Sequence, residues 1–515
     1  MVPFKLIYFK EYTINMEHKL KQLKNILAEV ADIQGAANLL EWDQQTNMPP
    51  KGAEARGHQL GALSRLAHIK FVAPEVGKLI EDLLPYAEGL DPDSDDARLL
   101  EVTNRKYKKS VKVPSDFVAE FARVTTMAHG AWEEAREEND FSKFQPHLEK
   151  IVDLDRQYAE FFAPYDHVYD PLLDTFEPGM STTAVKKIFE ELRPQQVKLI
   201  QAIGEQEQVA DDFLYQEFEH QAQLDFGNEV ITKYGFEWDR GRQDEAAHPF
   251  TTSFGIDDVR LTTRVQLNHL NSAIFGTFHE GGHAIYEQGI AHSLARTPLA
   301  DGASLAVHES QSRMYENLVG RSYDFWVYFY PRLQEFFPNQ FAKVNLETFY
   351  KGINKVEPSL IRVEADEATY NLHIMLRLEL EIELMEGKLE VSDLPFAWNA
   401  RMEEYLGITP TTDTEGVLQD VHWSSGLLGY FSTYALGNLI SAQLWEKINE
   451  DIPDLSGQIQ SGEFAGLLGW LRKNIHCHGA KFKPQELVKR ATGSEIDSAP
   501  YMRYLTKKYG EIYTL

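Results

Sequence analysis

One cysteine, Cys477, stands in 515 residues. An intrachain disulfide is therefore excluded, and a reducing compartment is the simpler home, so a cytoplasmic protein is expected. Long apolar runs are missing too. No stretch reaches the 18 residues that would cross a bilayer, which excludes a membrane-spanning helix and with it a membrane partner. Met1 to Tyr12 has a short apolar patch broken by Lys5, Lys10 and Glu11, without the h-region and cleavage site of a secretory signal. Positive charge is scarce: 51 Lys and Arg face 79 Asp and Glu, a formal charge of −28. With no basic stripe, nucleic acid is excluded as a partner.

What is present is ordinary globular material, 43% hydrophobic and 25% charged, enough for a large core. No repeat or composition break divides the chain. We expect a short, loosely attached extension over 1–15 and one mostly helical domain over 16–515. Apolar residues recur at helical spacing from Met16 to Ile33 and on through Leu40, until Met48-Pro-Pro50 stops the run. Ser181 is placed to cap a helix to Leu192, Pro194 to interrupt it, and a further helix to run from Gln195 to about Tyr234. Between Gly235 and Thr263 alternation and β-branched residues predict a small antiparallel sheet. Ser359 to Glu386 reads as one long helix.

Against this background one decapeptide carries chemistry: Thr277-Phe-His-Glu-Gly-Gly-His-Ala-Ile-Tyr286. On a helix His279 and His283, four apart, face one point in space and can share a tetrahedral metal ion. Glu280 points to one side, where it can take and relay a proton from water acidified by the metal. Gly281 and Gly282 each cost a helix about 1 kcal/mol relative to Ala. Close approach of another backbone or of a substrate would explain them; a loosened helix end is the blander reading.

A third ligand must come from elsewhere. Glu287 lies one turn past His283, but three ligands in line cannot surround a tetrahedral ion. Glu309, in Val307-His-Glu-Ser-Gln-Ser312, can reach from a second helix, and two His plus Glu leave the fourth position open. Spacing alone leaves Asp301 and Glu316 as rivals.

The chain also carries, in order, His248-Pro-Phe250, Asp258-Val-Arg-Leu-Thr262, His279-Glu-Gly-Gly-His283, His308-Glu-Ser-Gln311, Ile361-Arg-Val-Glu-Ala-Asp366 and Gly416-Val-Leu-Gln-Asp-Val-His-Trp423. Leu40-Glu-Trp-Asp-Gln44, Met48-Pro-Pro50 and Tyr434-Ala-Leu-Gly-Asn438 flank them. This set resembles the thermostable carboxypeptidase Taq family of metallocarboxypeptidases, from about Met16 onward. Ser432 departs from it, where Pro is expected.

The resemblance implies a helical body with a long groove between two halves, the metal at its floor, and a homodimer. It implies removal of C-terminal residues from peptides with broad preference, Pro disfavoured. It gives His279, His283 and Glu309 the ligand roles, Glu280 that of base, and Arg362 the peptide's free carboxylate. His422 and Tyr434 fall near the reacting carbonyl. Zinc is the first choice of metal, with cobalt and manganese open, since N/O sites bind several divalent ions.

The residues have blander readings. Arg362 can pair with Asp366 four residues on along a helix. His248 can line the groove or serve structure. Asp258, Arg260 and Thr262 share one strand face and suit a hydrogen-bond network. His476-Cys477-His478 reads as structural, because consecutive residues do not share a face. A competing function is a di-iron helical-bundle oxidase, because Glu-x-x-His occurs at Glu217/His220, Glu245/His248 and Glu280/His283.

Overall fold

A computed structural model of the protein describes residues 3–515, with side chains from Thr13 onward. The extension expected over 1–15 falls largely outside these described side chains; the backbone from Pro3 is already helical.

The first helix, α1 (Pro3–Thr46), joins the two expected runs into one. Two prolines end it, as they must where a helix needs backbone N–H groups. Helices α2 (Ala53–Phe71), α3 (Pro74–Ala87) and α4 (Asp95–Lys112) follow. Leu20, Leu23 and Leu27 of α1 meet Val76, Ile80, Leu83 and Leu99 in a core of their own.

The larger body begins with α5 (Ser115–Glu138), α6 (Phe141–Glu160), α7 (Asp170–Phe176) and α8 (Thr182–Gly204). Ser181 caps α8, its Oγ accepting from the Ala184 N–H at 3.2 Å. Pro194 does not break α8. The lost backbone bond is offset by burial of Leu192, Ile200 and Ile203 and by Gln196, whose amide donates to the Ala368 carbonyl at 2.5 Å. The break comes instead after Gly204, and α9 (His220–Tyr234) starts where Glu219 accepts from the Ala222 N–H at 2.6 Å.

Three strands precede the central helix: β1 (Gly241–Glu245), β2 (Thr251–Gly255) and β3 (Asp258–Thr263). The sheet is not wholly antiparallel. β3 lies in the middle, antiparallel to β2 with Thr251 opposite Leu261, and parallel to β1 with Gly241 opposite Val259. The chain crosses the end of β3 at 246–250, turns at Gly255 and inserts β3 between its predecessors. Arg260 donates to both oxygens of Asp258 at 2.9 Å and lies 4.4 Å from the Trp42 ring, so this strand face is a structural network.

Next come α10 (Leu270–Gln288), α11 (Leu305–Arg313) with a π-turn over Met314–Val319, α12 (Tyr323–Phe336), α13 (Pro338–Phe341) and α14 (Leu346–Ile353). α15 starts only at Tyr370 and runs to Glu386. The expected helix from Ser359 is absent because Asp366 takes the N–H groups of Glu357, Ala368 and Thr369 at 2.9–3.0 Å, holding the approach to α15 as a folded loop. The chain closes with α16 (Leu394–Leu406), α17 (Ser432–Asp451), α18 (Leu455–Gln460), α19 (Ala465–Asn474), α20 (Pro484–Thr492) and α21 (Ala499–Tyr513). α10 is buried on nearly every side, as a helix at the centre of a large core must be.

α11 is anchored at its start by a buried carboxyl. Glu177 accepts from the Ala306 N–H at 2.6 Å, and burial pushes its pKa up to about 8. The folded protein therefore holds a proton there that the unfolded chain, near 4.5, has lost. Stability from this group falls as pH rises from about 4.5 to about 8, by at most about 1.4 kcal/mol per unit. Glu177→Gln should flatten that slope. Its melting temperature relative to wild type should be higher at pH 8 than at pH 5, and an unchanged difference at the two pH values would place the ionisation elsewhere.

Candidate metal centre

The two imidazoles of α10 meet the carboxylate of α11. His279 Nε2 and His283 Nε2 each lie 3.6 Å from Glu309 Oε2. Among the described residues these three form the one group of His, Cys, Asp and Glu donors whose atoms lie within 4.8 Å of one another. Neighbouring corners of a tetrahedral zinc site with N and O ligands are about 3.3–3.5 Å apart. The donor set and its spacing therefore fit a small divalent cation. The rivals stand elsewhere: Asp301 faces Lys106 at 3.5 Å, and Glu316 lies behind His279.

Small residues make this meeting possible. A methyl group on Gly282 would stand 2.6 Å from the Gln311 carbonyl oxygen and 2.7 Å from Ser312 Cα; one on Gly281 would strike Ile231 at 2.7 Å. The paired glycines thus admit the α11 backbone on one side and α9 on the other. On the far side of α11, Gly437 of α17 leaves room for Glu309, whose Cβ and Cγ a methyl would meet at 2.6 Å. α11 is pressed between α10 and α17, and Glu309 lands over the His pair.

The outer nitrogens of both rings are held. His279 Nδ1 is 2.8 Å from Glu316 Oε2. His283 Nδ1 is 2.7 Å from His308 Nδ1, and His308 Nε2 is 2.7 Å from Glu287 Oε1, which in turn is steadied by the Ser253 hydroxyl at 3.1 Å on Oε2. Partners of this kind fix which ring nitrogen faces a metal. Arg313 donates to Glu309 Oε1 at 2.7 Å and to Glu316 Oε2 at 3.0 Å. Burial opposes ionisation of both carboxyls, but Arg313 and the imidazoles overcome it, holding Glu309 well below its usual range and Glu316 at about 2. Burial drives His283 down to about 3, which keeps its ring neutral, the form that binds a cation. Sequence reasoning missed Glu287, His308, Arg313 and Glu316 in these parts. Their signal was the helical spacing of Glu287 from His283 and of Arg313 and Glu316 from Glu309.

Glu280 is buried beside the group without joining it. The Thr251 hydroxyl of β2 donates to its Oε2 at 2.7 Å, and burial raises its pKa. A carboxylate so raised accepts a proton more readily near neutrality.

The remaining candidates gather on a second wall. Arg362 is not on a helix and does not pair with Asp366, which is occupied by backbone N–H groups. It sits on a single turn before α15, donating from Nε and Nη2 to Asp420 Oδ1 at 3.1 and 2.7 Å, and from Nη1 to the Tyr370 hydroxyl at 2.9 Å. Arg377 takes Asp420 Oδ2 at 2.6–2.8 Å. Two buried guanidiniums thus face one aspartate. His422 Nε2 is 3.3 Å from the Tyr434 hydroxyl, and Arg362 lies 5.1 Å from the Tyr434 ring. Arg313, which holds Glu309, lies 4.5 Å from the ring of Tyr370, whose hydroxyl Arg362 meets, so this wall adjoins the His pair. Asp420, Arg377 and Tyr430 were not singled out from the sequence.

His248 is exposed on the link between β1 and β2, and no hydrogen bond ties it to the other candidates. His476 is buried and bonds to Gln311 Oε1 at 3.0 Å, a structural role. A di-iron bundle finds no support. His220 bonds Glu245 at the surface at 3.0 Å, and Glu245 is on a strand.

No helix among the described residues is long and apolar enough to cross a membrane. A family model described as Carboxypeptidase Taq (M32) metallopeptidase matches residues 22–509. The chain is 41% identical over 507 residues to thermostable carboxypeptidase 1 of Thermus thermophilus, covering 96% of this chain and 99% of that protein. It is 38% identical over 496 residues to carboxypeptidase 1 of Bacillus subtilis, covering 96% and 99%. Among solved structures, the M32 carboxypeptidase from Deinococcus radiodurans R1 superposes with a TM-score of 0.94 at 41% identity, over 97% of this chain and 100% of that one.

Proposed function

We infer the reaction in detail from a settled premise: the chain belongs to the carboxypeptidase Taq family of metallopeptidases, and is a metal-dependent carboxypeptidase, a peptide hydrolase. The proposal is that His279, His283 and Glu309 hold the metal, Glu280 is the general base, and Arg362 receives the free carboxylate of the peptide. The observation that carries it is the convergence of three donor atoms beside a buried glutamate that is not one of them.

A divalent ion bound there, with zinc favoured over cobalt and manganese, supplies a Lewis acid that polarises the scissile carbonyl and acidifies water. The protein's own groups do the rest. Glu280, steadied by Thr251, accepts the proton at a carboxylate oxygen and passes it to the leaving amine. His422 and the Tyr434 hydroxyl are placed to donate to the substrate carbonyl oxygen. The two-to-one excess of guanidinium over carboxylate around Asp420 draws an anionic chain end into a protein of charge −28. The resemblance supports broad side-chain preference with Pro disfavoured, and a homodimer; His248, exposed on the link between β1 and β2, lines the groove on this reading, with a structural role as the alternative. A lone cysteine suits the cytoplasm.

The test is incubation of metal-loaded protein with an unmodified peptide and with its C-terminal amide, read by mass. Single residues should leave the free-acid end in steps, a chelator should stop this, and the amide should be cut poorly. Internal fragments, or equal attack on both peptides, would refute the carboxypeptidase assignment of this site.

A further inference from the structure

We propose that Glu381 is a positioning residue, whose buried carboxylate clasps both ends of the loop between Trp423 and Gly429 and so holds His422 and Tyr430 in the substrate pocket. This rests on the reading of Arg362, His422 and Tyr434 as that pocket.

α15 is buried almost all round, with Leu376, Leu378, Leu380, Ile382 and Leu384 among its buried residues. Arg377 and Glu381 stand among them one turn apart, both with no exposed surface. Each grips the same downstream segment. Arg377 holds Asp420 and donates to Gln419 Oε1 at 2.8 Å. Glu381 Oε1 accepts from Trp423 Nε1 at 2.7 Å, and Oε2 accepts from the Gly429 N–H at 2.9 Å and the Tyr169 hydroxyl at 2.5 Å.

Between those two anchors the loop reverses through Gly426 at φ +69° and Gly429 at φ +95°. A methyl on Gly429 would meet the Leu172 carbonyl carbon at 2.8 Å, so the loop is wedged between α7 and α15. His422 precedes the first anchor and Tyr430 follows the second, and their rings face each other at 5.3 Å. The one side-chain hydrogen bond of His422 is the 3.3 Å contact to Tyr434; its Nδ1 makes none and lies 3.9 Å from Asp420 Oδ1, while its carbonyl accepts from the Leu427 N–H of the loop at 3.0 Å. The ring's place is therefore set by the backbone it hangs from and by the rings that follow the second anchor, Tyr430 at 5.3 Å and Phe431 at 4.5 Å.

The clasp needs a carboxylate. Three donors converge on it and none of them needs a donor in return, which suits an acceptor-only group. Asp155 of α6 is its acidic neighbour, with Oδ2 unpartnered. Burial, and then Glu381 itself, push the Asp155 carboxyl well above its usual range, while burial raises Glu381 to about 7 against the pull of its three donors, so of the pair Glu381 is the one that ionises first. A Gln at 381 keeps the shape. In either orientation, though, its amide N–H would face a donor on one anchor of the loop.

The experiment is steady-state kinetics of Glu381→Gln on free-acid peptides, with metal content measured in parallel. KM should rise roughly tenfold, the cost of one buried hydrogen bond left unmade, while kcat changes less and metal content stays at the wild-type level. Trp423→Phe, which removes only the donor at the first anchor, should move KM the same way, and it keeps the test open should Glu381→Gln fail to fold. Asp155→Asn, equally buried but bonded to neither anchor, should leave KM unchanged. Unchanged KM in Glu381→Gln and Trp423→Phe alongside lowered melting temperatures overturns the proposal, as does a matching KM rise in Asp155→Asn. Arg362→Ala, run alongside, separates the two readings. If it does not erode the preference for free acid over amide, the pocket itself is misassigned. If it does while Glu381→Gln leaves KM alone, only the clasp fails.

Discussion

Glu280→Gln should keep its metal and lose about 10² to 10⁴ in kcat, the usual worth of a positioned acid–base group. The variant is nearly isosteric, and Thr251 can still donate to the amide oxygen where it now donates to Oε2 at 2.7 Å. Local structure should therefore survive. The ability to take a proton is what disappears. Because Glu280 does not belong to the converging donor group, the ion has no reason to leave. Glu309→Ala makes the contrast. It removes one of three donors and leaves Arg313 without its 2.7 Å partner, so metal and turnover should fall together. Metal content by atomic emission, set beside kcat on one free-acid peptide, distinguishes the two. Near-normal turnover in Glu280→Gln would remove that residue from the mechanism.

How much of this could be read beforehand follows from where each interaction lies along the chain. The His pair and Glu280 sit within five residues of one helix, so periodicity alone aligns them. Ser181 and the Met48-Pro-Pro50 stop are likewise local, and the structure has both. Glu309 lies 26 residues past His283, across a turn that spacing does not describe, and so it had rivals until the fold placed it. The misses share a cause. Pro194 was read as a helix breaker by its local chemistry, but burial of the residues around it decides. The parallel β1–β3 pairing depends on a chain crossing that strand periodicity cannot express. Helical spacing offers Asp366 as an alternative partner for Arg362, whereas Asp366 folds its own loop and Arg362 reaches Asp420, 58 residues on. Gly282 shows the reverse case, since the backbone contact suspected from the sequence is the one the structure contains, whereas Gly281 meets a side chain, that of Ile231.

Arg362→Ala should cost about 1.5–3 kcal/mol on free-acid peptides, roughly ten- to hundredfold in kcat/KM, and little on C-terminal amides. The metal group serves endopeptidase and exopeptidase alike, so the decision between them falls to whatever meets the chain end. The proposal gives that part to Arg362. A guanidinium carries five N–H donors. Two are spent on Asp420 and one on Tyr370, leaving two for a carboxylate. Its position close to Tyr434 and His422 sets those donors on the wall that adjoins the metal group. Removing the side chain does not strand Asp420, because Arg377 still holds Oδ2 at 2.6–2.8 Å, so the fold should stand and the ion should remain bound. What is lost is the cation aimed at the substrate's end, in a protein whose overall field repels it. Wild type should handle amides badly and the variant no worse, so the acid-to-amide ratio of kcat/KM is the quantity to measure. Equal losses on both substrates would make Arg362 an anchor for the Asp420 loop alone. The chain end would then have to be met by another donor of that wall, with Arg377 the first to examine.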